Sequence, residues 1–274
     1  MATIVSFHAH PDDETIATGG TLAKAADQGH RVVIVIATRG EHGEVAEGVL
    51  ASGEELWKRR VQEAEAAAAI LGARRLEFLG YVDSGMMGTP ENDAPGAFWR
   101  ADIEEAAGKL AEILREEKAE VLTIYDDHGA YGHPDHIQVH RVGVRAADLA
   151  GTPGVFEATT NREEVQRQIA RAQEAGVDLP GGLDDGQLQT FGTPESAITT
   201  AVDVRDFLDR KRSAMAAHAT QIAESSFFLA MPQEMFAEAF GTEWFIHRGA
   251  PSGITERDLF EGLADHDQGQ GPAA

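Results

Sequence analysis

Residues 4–14 read IVSFHAHPDDE and pass from an apolar run into a turn with three consecutive carboxylates. We predict a β-strand over residues 4–9 and a helix over residues 14–28. Pro11 disfavours helical geometry at His10, so a turn must separate the two elements. The stretch therefore predicts a strand, a turn and a helix, which together form the first βα unit of the chain.

The same alternation of strands and amphipathic helices continues through the first half of the sequence. Residues 31–37 (RVVIVIA) are almost entirely apolar, which is typical of a strand buried on both faces. Further strands are predicted at 76–79 and 121–125, and further helices at 54–71, 101–118 and 136–150. This pattern predicts the α/β fold class, with a mostly parallel sheet and helices on both faces.

The second half of the chain is less regular. Helical stretches are predicted at 161–175 and 204–220, with a loop rich in Gly and Asp at 176–186 between them. The loop at 80–99 is long and contains several Gly and Pro residues. Loops of that length in compact domains are usually functional or disordered.

The length of 274 residues is sufficient for one sizeable core, and we predict a single domain over residues 1–274. Within it, we expect residues 1–150 to form an α/β core that carries any catalytic site, and residues 151–250 to form an extension that completes its pocket. Residues 251–274 are polar and are predicted to be a flexible tail.

Composition excludes several classes of function. Cysteine is absent, so thiol nucleophiles, disulfides and thiolate metal sites are excluded, and a metal site must use His, Asp or Glu. A formal net charge of -23 repels phosphate backbones, so we expect no nucleic-acid partner.

No apolar run approaches the roughly 20 residues that span a bilayer, and the N-terminus has no signal-peptide pattern. We therefore expect no membrane partner and a cytoplasmic location. The sequence does not predict an oligomeric state.

The first group of candidate residues lies at the turn after the first predicted strand. His10, Asp12 and Asp13 lie where a helix begins, and the helix dipole favours negative charge there. One interpretation is purely structural, with Asp12 or Asp13 capping an acidic helix N-terminus. The other is a site that uses His10 together with the carboxylates.

A second group favours the functional interpretation. Residues 131–136 read YGHPDH, again a turn before a predicted helix, and a helix cap does not need two histidines. Because ligands bind beyond the carboxyl ends of parallel strands, both turns lie where a site is expected. Two imidazoles plus one carboxylate, with further positions open, are typical of a catalytic zinc site, although Fe²⁺ also suits this set. The residues alone leave open whether His133 or His136 is the ligand.

The two motifs AHPDDE and YGHPDH together resemble the LmbE/PIG-L family of metal-dependent N-deacetylases. The resemblance covers roughly the first 150 residues and implies a Rossmann-like fold. It extends more weakly to Lys211 and to the HATQ segment at 218–221.

Position by position, the resemblance implies that His10, Asp13 and His136 are the zinc ligands and Asp12 the general base. His133 becomes an electrophilic or acid partner, acting in its protonated form. Asp135 would orient His133 by accepting its ring N–H. Tyr131 would donate its hydroxyl to the oxyanion, unless it only packs at the surface.

The resemblance implies that further residues contact the substrate. In the family's helix pattern the arginine at position 60 reaches a substrate hydroxyl, although an ion pair with Glu63 also explains Arg60. Residues 79–86 (LGYVDSGM) resemble a loop of mycothiol-pathway members, and Asp83 would accept hydrogen bonds from sugar hydroxyls. Glu44 is a candidate for the aglycone side, and a solvated acidic loop is its alternative.

The residues predict a metal-dependent hydrolase, and the resemblance implies that it uses zinc and removes the acetyl group from an N-acetylglucosaminyl-type substrate, a small N-acetylated amino sugar. One alternative is the same hydrolytic reaction on a different amide substrate, as in a mycothiol S-conjugate amidase or a deacetylase of an antibiotic intermediate. A remote alternative is a non-catalytic Rossmann-like module that binds a sugar or nucleotide. The chain has no G-x-G-x-x-G turn after its first strand, which disfavours that module.

Overall fold

The computed structural model describes residues 1–45, 48–174 and 191–261, and these contain one mixed β-sheet. Its strands are β1 Thr3–His8, β2 Arg31–Ile36, β3 Arg75–Phe78, β4 Val121–Tyr125, β5 Gly154–Thr159, β6 Thr200–Asp203 and β7 Thr242–His247. The order across the sheet is β3-β2-β1-β4-β5-β7-β6. Strands β1 to β5 pair in parallel, whereas β7 pairs antiparallel with both β5 and β6. The predicted mostly parallel α/β sheet is confirmed.

Helices cover the sheet and connect its strands. They are α1 Asp13–Ala17, α2 Gly19–Asp27, α3 Leu56–Leu71, α4 Ile103–Glu117, α5 Pro134–Ala150, α6 Arg162–Glu174, α7 Leu208–Ala217, α8 Phe227–Ala230 and α9 Gln233–Phe240. Short 3₁₀ turns lie at 90–93, 98–100, 195–197 and 205–207. In the described part of the chain, no helix is both long and apolar enough to cross a membrane.

The single helix predicted over residues 14–28 is wrong, because the chain leaves helical geometry at Thr18. There φ is -135° and ψ is 5°, and α1 and α2 lie on either side of this residue. The hydroxyl of Thr18 lies 3.2 Å from the carbonyl oxygen of Glu14 and 3.3 Å from Ser6 Oγ. These contacts fix the break and let α1 follow the turn after β1 independently of α2.

Both faces of the sheet are buried, as the apolar strands predicted. Alternate residues of β1 and β2 enter different clusters: Val5 and Val33 pack with α4 and α5, whereas Ile4 and Val32 pack with α2, α3 and α7. Helix α5 comes close to β4 at Gly143, where a Cβ would lie 2.4 Å from Ile124 Cγ2. The absence of a side chain at this position allows the middle of α5 to pack this close to β4.

The second half of the chain closes over the first. The ammonium of Lys211 in α7 donates to the carbonyl of Ile16 at 2.8 Å and to Glu243 Oε1 at 2.6 Å. Glu243 in turn accepts the backbone N–H groups of Gly20 and Thr21 at the start of α2. A buried ion pair therefore ties α1 and α2 to α7 and β7.

Residues 251–261, the described part of the predicted flexible tail, contact the rest of the chain, and the flexibility of the tail stays a prediction. Leu259 is fully buried, Glu256 accepts a hydrogen bond from Thr200 Oγ1, and Phe260 stacks on His30. An apolar Leu-Phe pair within a polar stretch has enough surface to anchor the segment. Residues 262–274, the loop at 176–186 and residue 175 of the predicted helix lie outside the described residues. The division into a core and an extension stays a prediction.

Replacing Lys211 with Met is expected to lower the free energy of unfolding by about 3 kcal/mol, because Glu243 then keeps a buried charge without its cation. The side chains of Lys211 and Glu243 are only 1% and 4% exposed. As the control, Arg205→Met breaks the exposed pair with Asp203 and should change stability by less than about 1 kcal/mol. Urea unfolding of both variants measures the difference, and equal losses would contradict the buried-pair account.

Candidate active site

A cavity of about 780 Å³ opens at the carboxyl edge of β1 and β4. Strands β1 and β4 are neighbours, so the turns that follow them meet at this edge. Every predicted site residue except Asp135 lines the cavity: His10, Asp12, Asp13, Glu44, Arg60, Asp83, Tyr131, His133 and His136. The second half of the chain adds a wall of polar and apolar side chains, and the apolar ones include Val165, Phe228, Phe240 and Trp244.

One oxygen of Asp13 faces two imidazoles. Asp13 Oδ2 lies 3.3 Å from His10 Nδ1 and 3.4 Å from His136 Nε2. Two ligand atoms bonded to a tetrahedral zinc ion at 2.0 to 2.1 Å lie about 3.3 to 3.4 Å apart. Neither ring nitrogen of His136 has a hydrogen-bond partner among the described residues, although both are buried. Buried polar atoms normally have a partner, so the unpartnered nitrogens of His136 beside the Asp13 oxygen are of the kind that would hold a metal ion.

His10 is held from its other side by carboxylates. Its Nε2 lies 3.2 Å from Asp135 Oδ2 and 3.5 Å from Asp83 Oδ1. A proton on Nε2 satisfies these acceptors and leaves the Nδ1 lone pair directed toward Asp13. A carboxylate on the far nitrogen of a ligand histidine fixes its tautomer and raises its basicity.

The predicted partner of Asp135 was therefore wrong, because its carboxylate contacts His10 and not His133. Ser84 holds that carboxylate through its backbone N–H at 2.9 Å and its hydroxyl at 2.5 Å. Sequence reasoning missed Ser84, and only its place in the 79–86 loop hinted at a role. The contact with His133 is instead made by the backbone N–H of Asp135, which donates to His133 Nδ1 at 3.1 Å.

The geometry keeps His133 within range of the metal-ligand group as well. Ligand atoms of His10, His133 and His136 lie within 4.8 Å of one another. However, Nδ1 of His133 already accepts the hydrogen bond from Asp135, so only Nε2 faces the cavity. Burial lowers the pKa of His133 to about 4, and the neighbouring His10 and His136 act in the same direction. At neutral pH His133 is thus a neutral imidazole with its proton on Nε2, and the protonated form expected from the sequence is disfavoured.

Asp12 adopts an unusual backbone conformation, with φ at 110° and ψ at -35°. Positive φ is costly for a residue with a Cβ and is found where the surroundings impose it. The positive φ gives Asp12 a backbone geometry that differs from that of Asp13. Both side chains nevertheless line the same cavity. Burial raises the pKa of Asp12 to about 6, against the opposing charge of Arg60. A carboxylate with that pKa is ionised at neutral pH and more basic than an exposed one, as a general base requires.

Arg60 is buried and does not form the helix-surface ion pair with Glu63. Its Nη2 donates to the carbonyl of Pro11 at 2.5 Å and lies 3.4 Å from Asp12 Oδ2, and its Nη1 donates to the carbonyl of Gly40 at 2.9 Å. Position 40 requires glycine, since φ is 66° and a Cβ would lie 2.1 Å from Arg60 Nη1. Arg60 therefore holds the turn that carries Asp12, and its contact with substrate stays a prediction.

The remaining predicted residues line different depths of the cavity. Asp83 is buried and accepts the backbone N–H groups of His42 and Gly85. Burial would raise the pKa of Asp83, but the hydrogen bond with His10 and the backbone donors hold it well below its usual range. Tyr131 and Glu44 are exposed lining residues, and the ring of Tyr131 lies 5.0 Å from that of His136. Their roles stay predictions.

The N-terminal part of the chain matches a known family model. The model described as GlcNAc-PI de-N-acetylase, PIG-L, matches residues 5–147. A curated relative, the 1D-myo-inositol 2-acetamido-2-deoxy-alpha-D-glucopyranoside deacetylase of Acidothermus cellulolyticus, is 44% identical over 279 residues and is covered to 96%, as is this chain. The similarity to this relative therefore includes the second half of the chain.

Two solved structures share the fold. The N,N'-diacetylchitobiose deacetylase from Pyrococcus horikoshii is 20% identical with a TM-score of 0.54, over 85% of this chain and 72% of that chain. GalB, the 4-carboxy-2-hydroxymuconate hydratase from Pseudomonas putida KT2440, is 19% identical with a TM-score of 0.57, over 94% and 99%. Because one is a deacetylase and the other a hydratase, the structural likeness indicates the fold alone.

The strained backbone at position 12 can be tested with two variants that both lack the carboxylate. Asp12→Gly should be more stable than Asp12→Ala by about 1 kcal/mol, because only glycine adopts positive φ without strain. At an ordinary position the order is reversed, since alanine restricts the unfolded chain. Urea unfolding of both variants after chelator treatment gives the comparison. A more stable Asp12→Ala variant would show that position 12 has negative φ.

Proposed function

Because the chain belongs to the PIG-L family of GlcNAc-PI de-N-acetylases, we propose that its substrate is a 1D-myo-inositol 2-acetamido-2-deoxy-glucopyranoside, from which it releases acetate. The chain is a deacetylase, a hydrolase of amide bonds. The observation that carries the catalytic part of the proposal is the Asp13 oxygen shared between His10 and His136, with the carboxylate of Asp12 on the adjacent residue. The substrate rests on the curated relative that matches along its whole length.

His10, Asp13 and His136 hold the metal ion in this proposal, and the ion is Zn²⁺, with Fe²⁺ as the alternative. Two imidazoles and one carboxylate leave coordination positions for substrate and water. When bound, the metal supplies Lewis-acid polarisation of the amide oxygen and of a water molecule. Asp135 acts behind His10, where its carboxylate keeps Nδ1 available as the ligand atom.

Asp12 is the general base. Its carboxylate takes a proton from the water that attacks the acetyl carbon, and the amide carbon becomes tetrahedral. The same carboxyl then gives a proton to the amine nitrogen as the C–N bond breaks, and acetate and the free amino sugar are the products. Water supplies both the oxygen that acetate gains and the protons, so the step balances.

His133 and Tyr131 stabilise the oxygen on which negative charge develops. The neutral imidazole of His133 has its Nε2–H free for that oxygen, because its Nδ1 already accepts from the backbone. The hydroxyl of Tyr131 is a second donor at the cavity. Donors that are fixed before the reaction contribute most where charge appears in the transition state.

Arg60, Asp83 and Glu44 contact the sugar and its aglycone in the proposal. A cavity of about 780 Å³ is within the size range of sites for small molecules. The apolar side chains of Phe228, Phe240 and Trp244 in the cavity wall favour a second candidate function. In it, the same amide hydrolysis acts on a larger conjugate. We also propose that the substrate is a small molecule, that the protein has no nucleic-acid or membrane partner, and that it is cytoplasmic.

The substrate can be decided by measuring acetate and amine release from a panel of amides. The panel contains the inositol-linked N-acetylglucosaminide, N-acetylglucosamine, N,N'-diacetylchitobiose and a mycothiol S-conjugate. We expect the highest kcat/KM for the inositol-linked compound. A higher kcat/KM for the S-conjugate would replace the first candidate with the second, and no turnover of any member by the metal-loaded protein would contradict both.

The base assignment predicts that Asp12→Asn lowers kcat by about 10² to 10⁴-fold, because the amide keeps the shape but cannot accept the proton. Metal content measured by plasma emission should stay at the wild-type level. Asp127→Asn serves as the control, since that side chain is 83% exposed. Near-normal turnover by Asp12→Asn would rule out this role.

The ligand assignment predicts that His136→Ala loses both bound metal and acetate release. His140→Ala is the matched control one helical turn later, where Nδ1 lies 3.0 Å from the carbonyl oxygen of Tyr125. His140→Ala should keep its metal. Removal of metal from the wild type by a chelator should abolish turnover, and titration with Zn²⁺ or, under anaerobic conditions, Fe²⁺ should identify the ion that restores it. Full metal occupancy in His136→Ala would contradict the assignment.

A further inference from the structure

The backbone of Asp12 is held on both sides by buried side chains. Its N–H donates to Glu14 Oε2 at 2.9 Å, and its carbonyl accepts the hydroxyl of Thr15 at 2.7 Å. The positive φ of Asp12 lies between these two bonds. The direction of its carboxylate therefore depends on the side chain of Glu14 staying in place.

Glu14 is itself held by a residue from the far end of the chain. Its second oxygen, Oε1, lies 2.6 Å from His218 Nε2, and the two side chains are 1% and 0% exposed. A buried carboxylate that loses a donor must rotate or take up a proton, because an unpaired buried charge is costly. Either change removes or weakens the acceptor of the Asp12 N–H.

The segment that carries His218 is anchored to the helix that carries Arg60. Thr220 donates its backbone N–H and its hydroxyl to Glu63, at 3.0 and 2.5 Å. Glu63 follows Arg60 by three residues in α3, and Arg60 holds the Pro11 carbonyl and contacts the Asp12 carboxylate. The peptide unit between Pro11 and Asp12 is thus held at both ends, its carbonyl by Arg60 and its N–H by Glu14.

We propose that His218 is a positioning residue for the reaction, which acts through Glu14 to hold Asp12 in the orientation that a general base needs. The inference rests on the proposed function, in which Asp12 accepts the proton. His218 does not line the cavity with the described residues, so it contacts neither substrate nor the attacking water. Its contribution is to the orientation of another residue's carboxylate.

Two substitutions separate the hydrogen bond from the volume of the side chain. His218→Phe fills the ring site without a donor, whereas the amide of His218→Gln places a donor near the former Nε2. We expect His218→Phe to lower kcat by at least about tenfold with a KM within about threefold of wild type, because small misplacements of a catalytic group have effects of that size. His218→Gln should recover most of the loss, and both variants should keep full metal content.

A double-mutant cycle with Asp12→Asn tests whether His218 acts through Asp12. If it does, His218→Phe slows the wild type but leaves the residual rate of Asp12→Asn unchanged, because the base that it positions is already absent. Equal slowing in both backgrounds would overturn the proposal and indicate a general structural role. A sensitive fluorescent assay of the released amine allows both backgrounds to be measured.

Thr200→Val is the control for a lost buried hydrogen bond outside this chain of contacts, because Thr200 Oγ1 donates to Glu256 and neither residue lines the cavity. Its effect on kcat should be the same in the wild-type and Asp12→Asn backgrounds, whatever its effect on Tm. If His218→Phe does not fold, the cycle is run with His218→Gln, whose smaller loss must likewise vanish in Asp12→Asn. Acetate release by the wild type and its loss in Asp12→Asn test the proposed function separately. If Asp12→Asn loses activity as expected but His218→Phe slows the wild type and Asp12→Asn equally, only the positioning role of His218 is overturned.

Discussion

The parallel pairing of β1 with β4 is the constraint from which the site follows. It brings the carboxyl ends of two strands that are more than a hundred residues apart in sequence to the same edge of the sheet. The turn after β1 then faces the turn after β4, and His10 comes within reach of both His133 and His136. Every residue of both strands is buried, and such strands take central places in a sheet that is covered on both faces.

The sequence predicted those parts of the molecule that depend on local pattern. The apolar runs of β1, β2 and β4, the two His-Pro-Asp turns and the helix after each turn are visible in short windows. Because parallel strands place their carboxyl ends together, the meeting of His10 with the second histidine pair could also be expected. The break at Thr18 could not, since it depends on contacts with Ser6 and Glu14 that exist only after folding.

The partners of individual side chains were harder to predict, because most are distant in sequence. Asp135 was expected to hold His133, two residues away, but holds His10 across the sheet edge. Arg60 was weighed as a partner of Glu63, three residues away, but points to the turn at Pro11. In both cases spacing along a turn suggested the neighbour, whereas the fold placed a group from another βα unit within hydrogen-bond distance.

Long-range contacts of the second half of the chain follow the same logic. Lys211 and His218 come from a region in which the sequence pattern is weak, yet both bind groups in or next to α1. Each satisfies a buried carboxylate, Glu243 or Glu14, that would otherwise be costly to place there. The second half therefore holds α1 and the turn before it in place, and His218 does so without lining the cavity.

Buried carboxylates dominate the electrostatics of the site. In the proposed metal site, the metal ion and a proton therefore compete for Nδ1 of His10. Burial alone would lower the pKa of His10, but hydrogen bonds with Asp13, Asp135 and Asp83 raise it well above its usual value. Without a metal ion, a proton on Nδ1 of His10 therefore provides the positive charge that the carboxylates require. A metal ligand must have a free lone pair on that nitrogen, so binding has to release the proton. The carboxylates that would attract the dication thus also make His10 bind its proton more tightly, and in the proposed site metal binding would compete with that proton.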